Sequence, residues 1–311
     1  MFEWLARISI TCFAASYLVV LGLEVSRLFF RLPVRMIIIV GFGAVGVFAH
    51  VVYLLNLARE EFTKGALFTS WHDWCVLAAL CLAVTYLILL FRRPDSSVGL
   101  FVLPMALLFI GVAVPLQNST AFARAEALSL ASIIHGLCML FGTVSVSLGL
   151  AAGLMYFAQW YRLKRKMTPG GRFRLPSLEW LQKFNRETLY VSAGFVFVGL
   201  LCGFVMNLNK QPTPMPWNDP VIVSSSFLFL WLVAVSLFEY FYKPARQGHK
   251  VAYLTLCSFV FLSISLFLVL SGKHGSDANE ATSGKLNANF PVICCRVVRS
   301  SAWGFRGRRD S

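Results

Sequence analysis

Five histidines carry most of the chemical reach of this sequence. A neutral imidazole is the commonest axial donor to haem iron and a general metal ligand. His50 and His135 fall inside long apolar runs, and His274 follows the last of them by two residues. Between His135 and His274 lies the stretch Asn207 to Asp219, which holds Pro212, Pro214 and Pro216 and leads through Trp217-Asn218-Asp219 into Pro220. Four prolines in nine residues make that stretch stiff. A stiff loop with a Trp, set between two imidazoles, suits a flat, apolar ligand that contains a metal, and haem is such a ligand. Each histidine also has a plainer reading. A His on an apolar span is a neutral core residue bonded to a neighbouring helix, and a lone interfacial His has no role.

The remaining reactive residues offer less. In Trp71-His72-Asp73-Trp74, His72 is a further ligand or Asp73 caps the helix that follows, and capping is the favoured reading. His249 sits in a basic loop and reads as a solvated surface residue. Glu239 is placed to pair with Lys243 four residues on. Cys12, Cys75, Cys81, Cys138, Cys202 and Cys257 are scattered through apolar runs, where Cys behaves as a small hydrophobe. Adjacent Cys294 and Cys295 read as inert thiols. No nucleophile–base pair, phosphate loop or zinc spacing is present, so the expected role is delivery or holding rather than independent catalysis.

The elements that must position these histidines follow from composition. The chain has 311 residues, 58% hydrophobic and 14% charged, with a mean hydropathy of +0.70. Soluble domains are about a quarter charged, so an ordinary soluble enzyme is excluded. The apolar runs are near the roughly 20 residues that one helical crossing of a bilayer needs. They fall at about 6–24, 36–58, 74–91, 98–115, 133–157, 188–208, 221–242 and 251–272. The expected fold is all-α, a polytopic bundle of about eight transmembrane helices embedded in a lipid bilayer. The first run has no small-x-small cleavage site and reads as helix 1 rather than a signal peptide.

A net charge of +14 invites a nucleic-acid reading. The basic residues instead lie between the apolar runs, where they act as topology signals, and nucleic acid is excluded as a partner. Loops 24–35, 92–97, 158–187 and 243–250 hold sixteen Lys and Arg, while the alternate loops hold five. The positive-inside rule then puts the richer loops inside and both termini outside.

Finer features refine the bundle. Gly149/Gly153 and Gly199/Gly203 have the spacing that lets helices approach closely, although membrane helices are also simply rich in glycine. Pro104 predicts a kink. Leu178, Leu181 and Phe184, interleaved with Glu179, Gln182, Lys183 and Arg186, predict a short amphipathic helix over about 177–187 that lies on the inner membrane surface and leads into the sixth span. The domain so defined spans 1–274. Residues 275–288 are rich in Gly, Ser, Asn and Ala, and the 275–311 tail is expected to be disordered.

The order of these features resembles the cytochrome c assembly protein family of the CcsA/HemX type, in its YpjD-like branch. The stretches that carry the resemblance are Phe48-Ala49-His50; Ser132-Ile133-Ile134-His135-Gly136-Leu137 through Gly153-Leu154-Met155-Tyr156; Leu175-Pro176-Ser177-Leu178-Glu179-Trp180-Leu181; and Gly272-Lys273-His274. The resemblance implies an eight-helix bundle that holds haem at the outer face. His135 and His274 would be the flanking axial ligands, His50 a histidine inside the bundle, and Trp217 and Asp219 what remains of the family's Trp-rich segment. That segment has several Trp around an acidic residue in members that mature cytochrome c, and this chain has only Trp217 and Asp219. The resemblance further implies haem that is carried rather than permanent, a second membrane subunit with an outer domain, apocytochrome c as acceptor, and a bacterial-type inner membrane. The alternatives are a non-catalytic regulator or scaffold of haem synthesis and a small-solute transporter.

The charge split makes a direct prediction. A topology reporter fused after Arg165 reports the inner compartment, and one fused after Lys210 the outer. The reverse result would invert every depth assigned above.

Overall fold

In hydrocarbon a backbone N–H or C=O has no water to bond, so an apolar run must satisfy its own backbone, and a helix does so. The computed structural model describes residues 9–29, 34–63, 70–94, 96–117, 130–166, 173–209, 220–241 and 249–270. Among these residues every regular element is helical, and there are eight α-helices. They are α1 (Ile10–Ser26), α2 (Arg35–Thr63), α3 (Trp71–Arg92), α4 (Gly99–Ala113), α5 (Leu130–Lys164), α6 (Leu178–Asn209), α7 (Pro220–Phe241) and α8 (His249–Leu270). A 3₁₀ turn, Val114–Leu116, extends α4. Helices α2 to α6 contain windows long and apolar enough to cross a bilayer, and α1, α7 and α8 carry shorter ones. Large apolar side chains such as Ile37, Phe62, Leu130, Phe241 and Phe267 stand mostly exposed. A surface of that kind is stable against lipid, and the chain is an integral membrane protein. Trp217, Asp219, His274 and the 275–311 tail lie outside the described residues.

The helices pack as two groups. In the first, α1 lies against α2 and α4, and α3 against α2 and α4. Its core is built from Phe13, Tyr17, Leu82, Tyr86, Leu103 and Met155 among others. In the second, α6, α7 and α8 pack on one another, and α6 and α8 on α5, around Leu189, Leu228, Leu232 and Val235. Helix α5 also touches α3 and α4 and so joins the groups.

Successive helices run in opposite directions through the first group. At one end, Arg27 donates from Nη1 to the carbonyls of Pro94 (3.3 Å) and Ser96 (3.2 Å). At the same end, the Ser97 N–H donates to the Arg174 carbonyl at 2.7 Å. Three of the four Arg/Lys-rich loops therefore meet at one end of the molecule, here called the basic end. The last turns of α2 and α4 and the first turn of α3 meet at the other.

One expectation changes. Residues 177–187 are not a separate surface helix. They form the first turns of α6, which runs unbroken for 32 residues. No proline interrupts 178–209, so nothing ends the backbone ladder between the amphipathic and apolar parts. Leu181 is fully buried, and Leu178, Trp180 and Phe184 pack on the first core rather than on lipid headgroups.

A buried acid closes the basic end. Glu24 is 0% exposed. It accepts from the Tyr86 hydroxyl at 3.1 Å and lies 4.0 Å from Arg27 Nη1. An acid in a membrane bundle persists only with such partners. Gly99 makes room for it. A Cβ at Gly99 would lie 2.8 Å from Tyr86 Cε2 and 2.9 Å from Glu24 Cγ. Gly99→Ala should therefore lose about 1–3 kcal/mol, the usual cost of overpacking. Gly22→Ala, with no atom within 4 Å of the added methyl, should lose nothing. Thermal unfolding of the two variants in detergent checks both.

Candidate functional site

His135 sits one turn into α5, half-buried against α6. Its Nδ1 lies 2.6 Å from the Gly199 carbonyl. A carbonyl only accepts, so Nδ1 carries the proton and Nε2 the lone pair. Metal-bound imidazoles show the same arrangement, in which a backbone carbonyl fixes tautomer and ring orientation. Two glycines of α6 make the seat. A Cβ at Gly203 would lie 3.1 Å from the His135 ring, and one at Gly199 3.3 Å from Met139 Sδ. The Gly199/Gly203 pair thus faces α5 and admits an imidazole and a thioether to the α6 backbone. Farther along the same seam, Gly142 faces Val196, and Gly149 faces Thr188 of α6 and Thr255 of α8. On the other side of α5, a Cβ at Gly136 would lie 2.6 Å from Trp74, which ties the start of α5 to the start of α3.

His50 is at a different place, inside the first core at 0% exposure. Its ring stacks on Phe13, with centroids 4.0 Å apart and planes 8° from parallel. Nε2 donates to the Val76 carbonyl at 3.1 Å, and Nδ1 accepts from the Tyr17 hydroxyl at 3.1 Å. Both nitrogens are engaged, so the ring joins α1, α2 and α3 as a neutral core histidine. His72 repeats the pattern about a turn farther from the basic end. Nδ1 donates to the Ala113 carbonyl at 2.9 Å, and Nε2 accepts from the Tyr53 hydroxyl at 2.9 Å. Phe13 also packs on Tyr53, with centroids 5.5 Å apart, so one phenyl ring links the two Tyr–His pairs.

Asp73 takes the capping role. Its Oδ2 accepts from the Ser70 N–H at 2.9 Å, while Ser70 Oγ accepts from the Asp73 N–H at 3.3 Å. This is a complete capping box at the start of α3.

Of the expected residues, the two that are described lie apart. His135 lies on the α5–α6 seam, and His50 lies in the first core. Trp217, Asp219 and His274 fall outside the described residues. Among the described residues, no three His, Cys, Asp or Glu side chains converge as a metal site. An apolar crevice of about 220 Å³ opens between α4 and α8, lined by Phe109, Val112, Phe259 and Phe267 among others. Sequence reasoning missed Phe13, Tyr17, Tyr53 and Tyr86. Their signal was a polar or aromatic group one helix away from a buried ionisable residue, which only the rotation of each helix reveals.

The profile of the cytochrome C assembly protein family matches residues 42–275. The chain belongs to the cytochrome c assembly protein family. The match includes His50, His135, Trp217, Asp219 and His274 and begins after α1, which supplies the Phe13 and Tyr17 partners of His50. No curated protein matches the chain. Among solved structures, the fold is similar to that of the cytochrome c haem lyase CcmF, with a TM-score of 0.57 and 16% identity. That likeness covers 91% of this chain and 49% of the lyase, so this chain spans about half the length of that protein.

The geometry around His50 can be tested by a double-mutant cycle. Tyr17→Phe leaves the buried His50 Nδ1 without its donor and should lose about 1–3 kcal/mol. His50→Leu strands the Tyr17 hydroxyl in the core and should lose about 1–3 kcal/mol more. The double variant should lose less than the sum of the two, because the stranded group is gone. Unfolding in detergent measures all three, and strict additivity would contradict the bond.

Proposed function

We propose that this chain handles haem in cytochrome c maturation, holding it at the outer face between His135 and His274, beneath the segment that carries Trp217 and Asp219. The family supports the cytochrome c role. The observation that carries the finer reading is the His135 seat. The Gly199 carbonyl accepts from Nδ1–H and so orients the ring, and Gly203 leaves space for the ring itself. An imidazole held this way loses little freedom on taking iron. Haem would supply an iron that takes two axial donors. His274 is the second donor in this reading, because it comes four residues after the last residue of α8 in the sequence and because its position in the sequence agrees with the family resemblance.

His50 plays another part. To take iron it would have to give up either Tyr17 or the Val76 carbonyl, so its contribution is to the bundle around the site. Partners in this reading are haem, apocytochrome c and a second membrane subunit with an outer domain, all in a bacterial-type inner membrane. The chain's own part is to bind and orient the cofactor and present it to the acceptor, a contribution of geometry rather than of a reacting side chain.

The test is an absorption spectrum of protein purified after expression with ample haem. A Soret band of bis-histidine character is expected, below full occupancy. His135→Ala and His274→Ala should each weaken or abolish it, and added imidazole should restore part of it. His50→Ala should reduce it less, and His249→Ala should leave it unchanged. If the wild type shows no Soret band and both variants at 135 and 274 still support cytochrome assembly, the haem reading fails and a regulator or scaffold role replaces it.

A further inference from the structure

At the basic end, α5 finishes with four cations in five residues: Arg162, Lys164, Arg165 and Lys166. Three of them are pinned. Arg162 donates to the Phe173 carbonyl and lies over the Phe173 ring, 5.2 Å from its centroid. Lys164 lies over Trp160, and Arg165 over Tyr161, each at 5.2 Å. Lys166 adopts a left-handed φ of 51° and closes the helix by donating its N–H to the Leu163 carbonyl at 3.0 Å. Lys164, Arg165 and Lys166 are all exposed. The acids nearest in the fold are already engaged, Glu24 with Tyr86 and Arg27, and Glu187 with Lys183.

We propose that the C-terminal end of α5 binds the phosphate headgroup of an anionic phospholipid. Charge supplies the first part of the argument. Clustered Lys and Arg directly after a membrane helix attract acidic lipid, and here four cations fall within five residues. Depth supplies the second. Trp and Tyr rings mark the headgroup level of a bilayer, and cations stacked on Trp160 and Tyr161 are held at that level instead of ranging through solvent. A cation on an aromatic face also gives up less side-chain freedom when it meets a phosphate. Tyr161 and Leu163 supply the third part. They are 52% and 53% exposed beside the cations and offer an apolar surface to an acyl chain. Free phosphate would use the charges alone.

The experiment uses the full chain in nanodiscs of phosphatidylcholine, with and without phosphatidylglycerol. Lipid retained on the protein is read by native mass spectrometry. Wild type should retain phosphatidylglycerol over phosphatidylcholine by at least about tenfold, given the strength of each cation at an anionic surface. Its melting temperature should rise when phosphatidylglycerol is present. The triple variant Lys164→Gln/Arg165→Gln/Lys166→Gln should lose the preference. The charge-keeping variant Lys164→Arg/Arg165→Lys/Lys166→Arg should keep it, which separates a binding defect from a folding one. Arg59→Gln, at the opposite end of α2, should also keep it. Equal retention of the two lipids, or an unchanged preference in the Gln triple, overturns the proposal. Displacement of the lipid by inorganic phosphate at equal concentration also overturns it, in favour of a free-anion site.

Discussion

The backbone-to-backbone approach of α5 and α6 sets the rest of the molecule. No hydrophobic force draws two helices together inside a bilayer, so their contact must come from close packing. Here glycines on both helices supply it. Gly142 and Gly149 of α5 meet Val196 and Thr188, while Gly199 and Gly203 of α6 meet Met139 and His135. The pairs fall in one antiparallel register along most of both helices. With that register fixed, α5 presents its remaining faces to α3, α4 and α8, and the two cores form on either side of it. The His135 ring is part of the same seam, so its position follows from how the two helices lock.

The first group is held in a different way. Its polar side chains lie in three levels between the basic end and the opposite end: Glu24 with Tyr86, His50 with Tyr17, and His72 with Tyr53. Each level joins at least two helices, and each tyrosine answers a group that hydrocarbon would not tolerate alone. An apolar interface can slide by a residue at small cost. A buried carboxylate or imidazole bonded across it cannot, because the slip strands a polar group. These three pairs give α1 to α4 a single arrangement.

Much of this was legible in the residues. The eight helices lie where apolar runs of membrane length lie, and span 36–58 became Arg35–Thr63 because Arg59, Glu60 and Glu61 are good helix formers that carry the helix on past the apolar run. Ser70 and Asp73 could be read as a cap, since capping is local chemistry. The spacing of Gly199 and Gly203 showed a packing face. That this face would seat His135 and Met139 was not legible, because it depends on the rotation of α5 against α6. Tyr17 with His50 and Tyr86 with Glu24 were hidden for the same reason, being 33 and 62 residues apart. The division at 187 between a surface helix and a span was drawn from a change in polarity, and a helix continues through such a change when its backbone meets no obstacle.

The helices differ widely in length. At about 1.5 Å per residue, the 35 residues of α5 and the 32 of α6 run about 52 and 48 Å. A hydrocarbon layer is about 30 Å thick, and headgroups bring the bilayer to about 40–45 Å. These two helices pass right through it and are indifferent to a few ångströms more or less. The 15 residues of α4 run only about 22 Å, and its 3₁₀ turn adds about 6 Å. The 17 residues of α1, packed on α4, run about 26 Å, so thickening the bilayer draws hydrocarbon first past the ends of this pair. Mismatch costs fractions of a kcal/mol per ångström, and this protein meets that cost on one side only, so the membrane around it is thinnest beside α1 and α4.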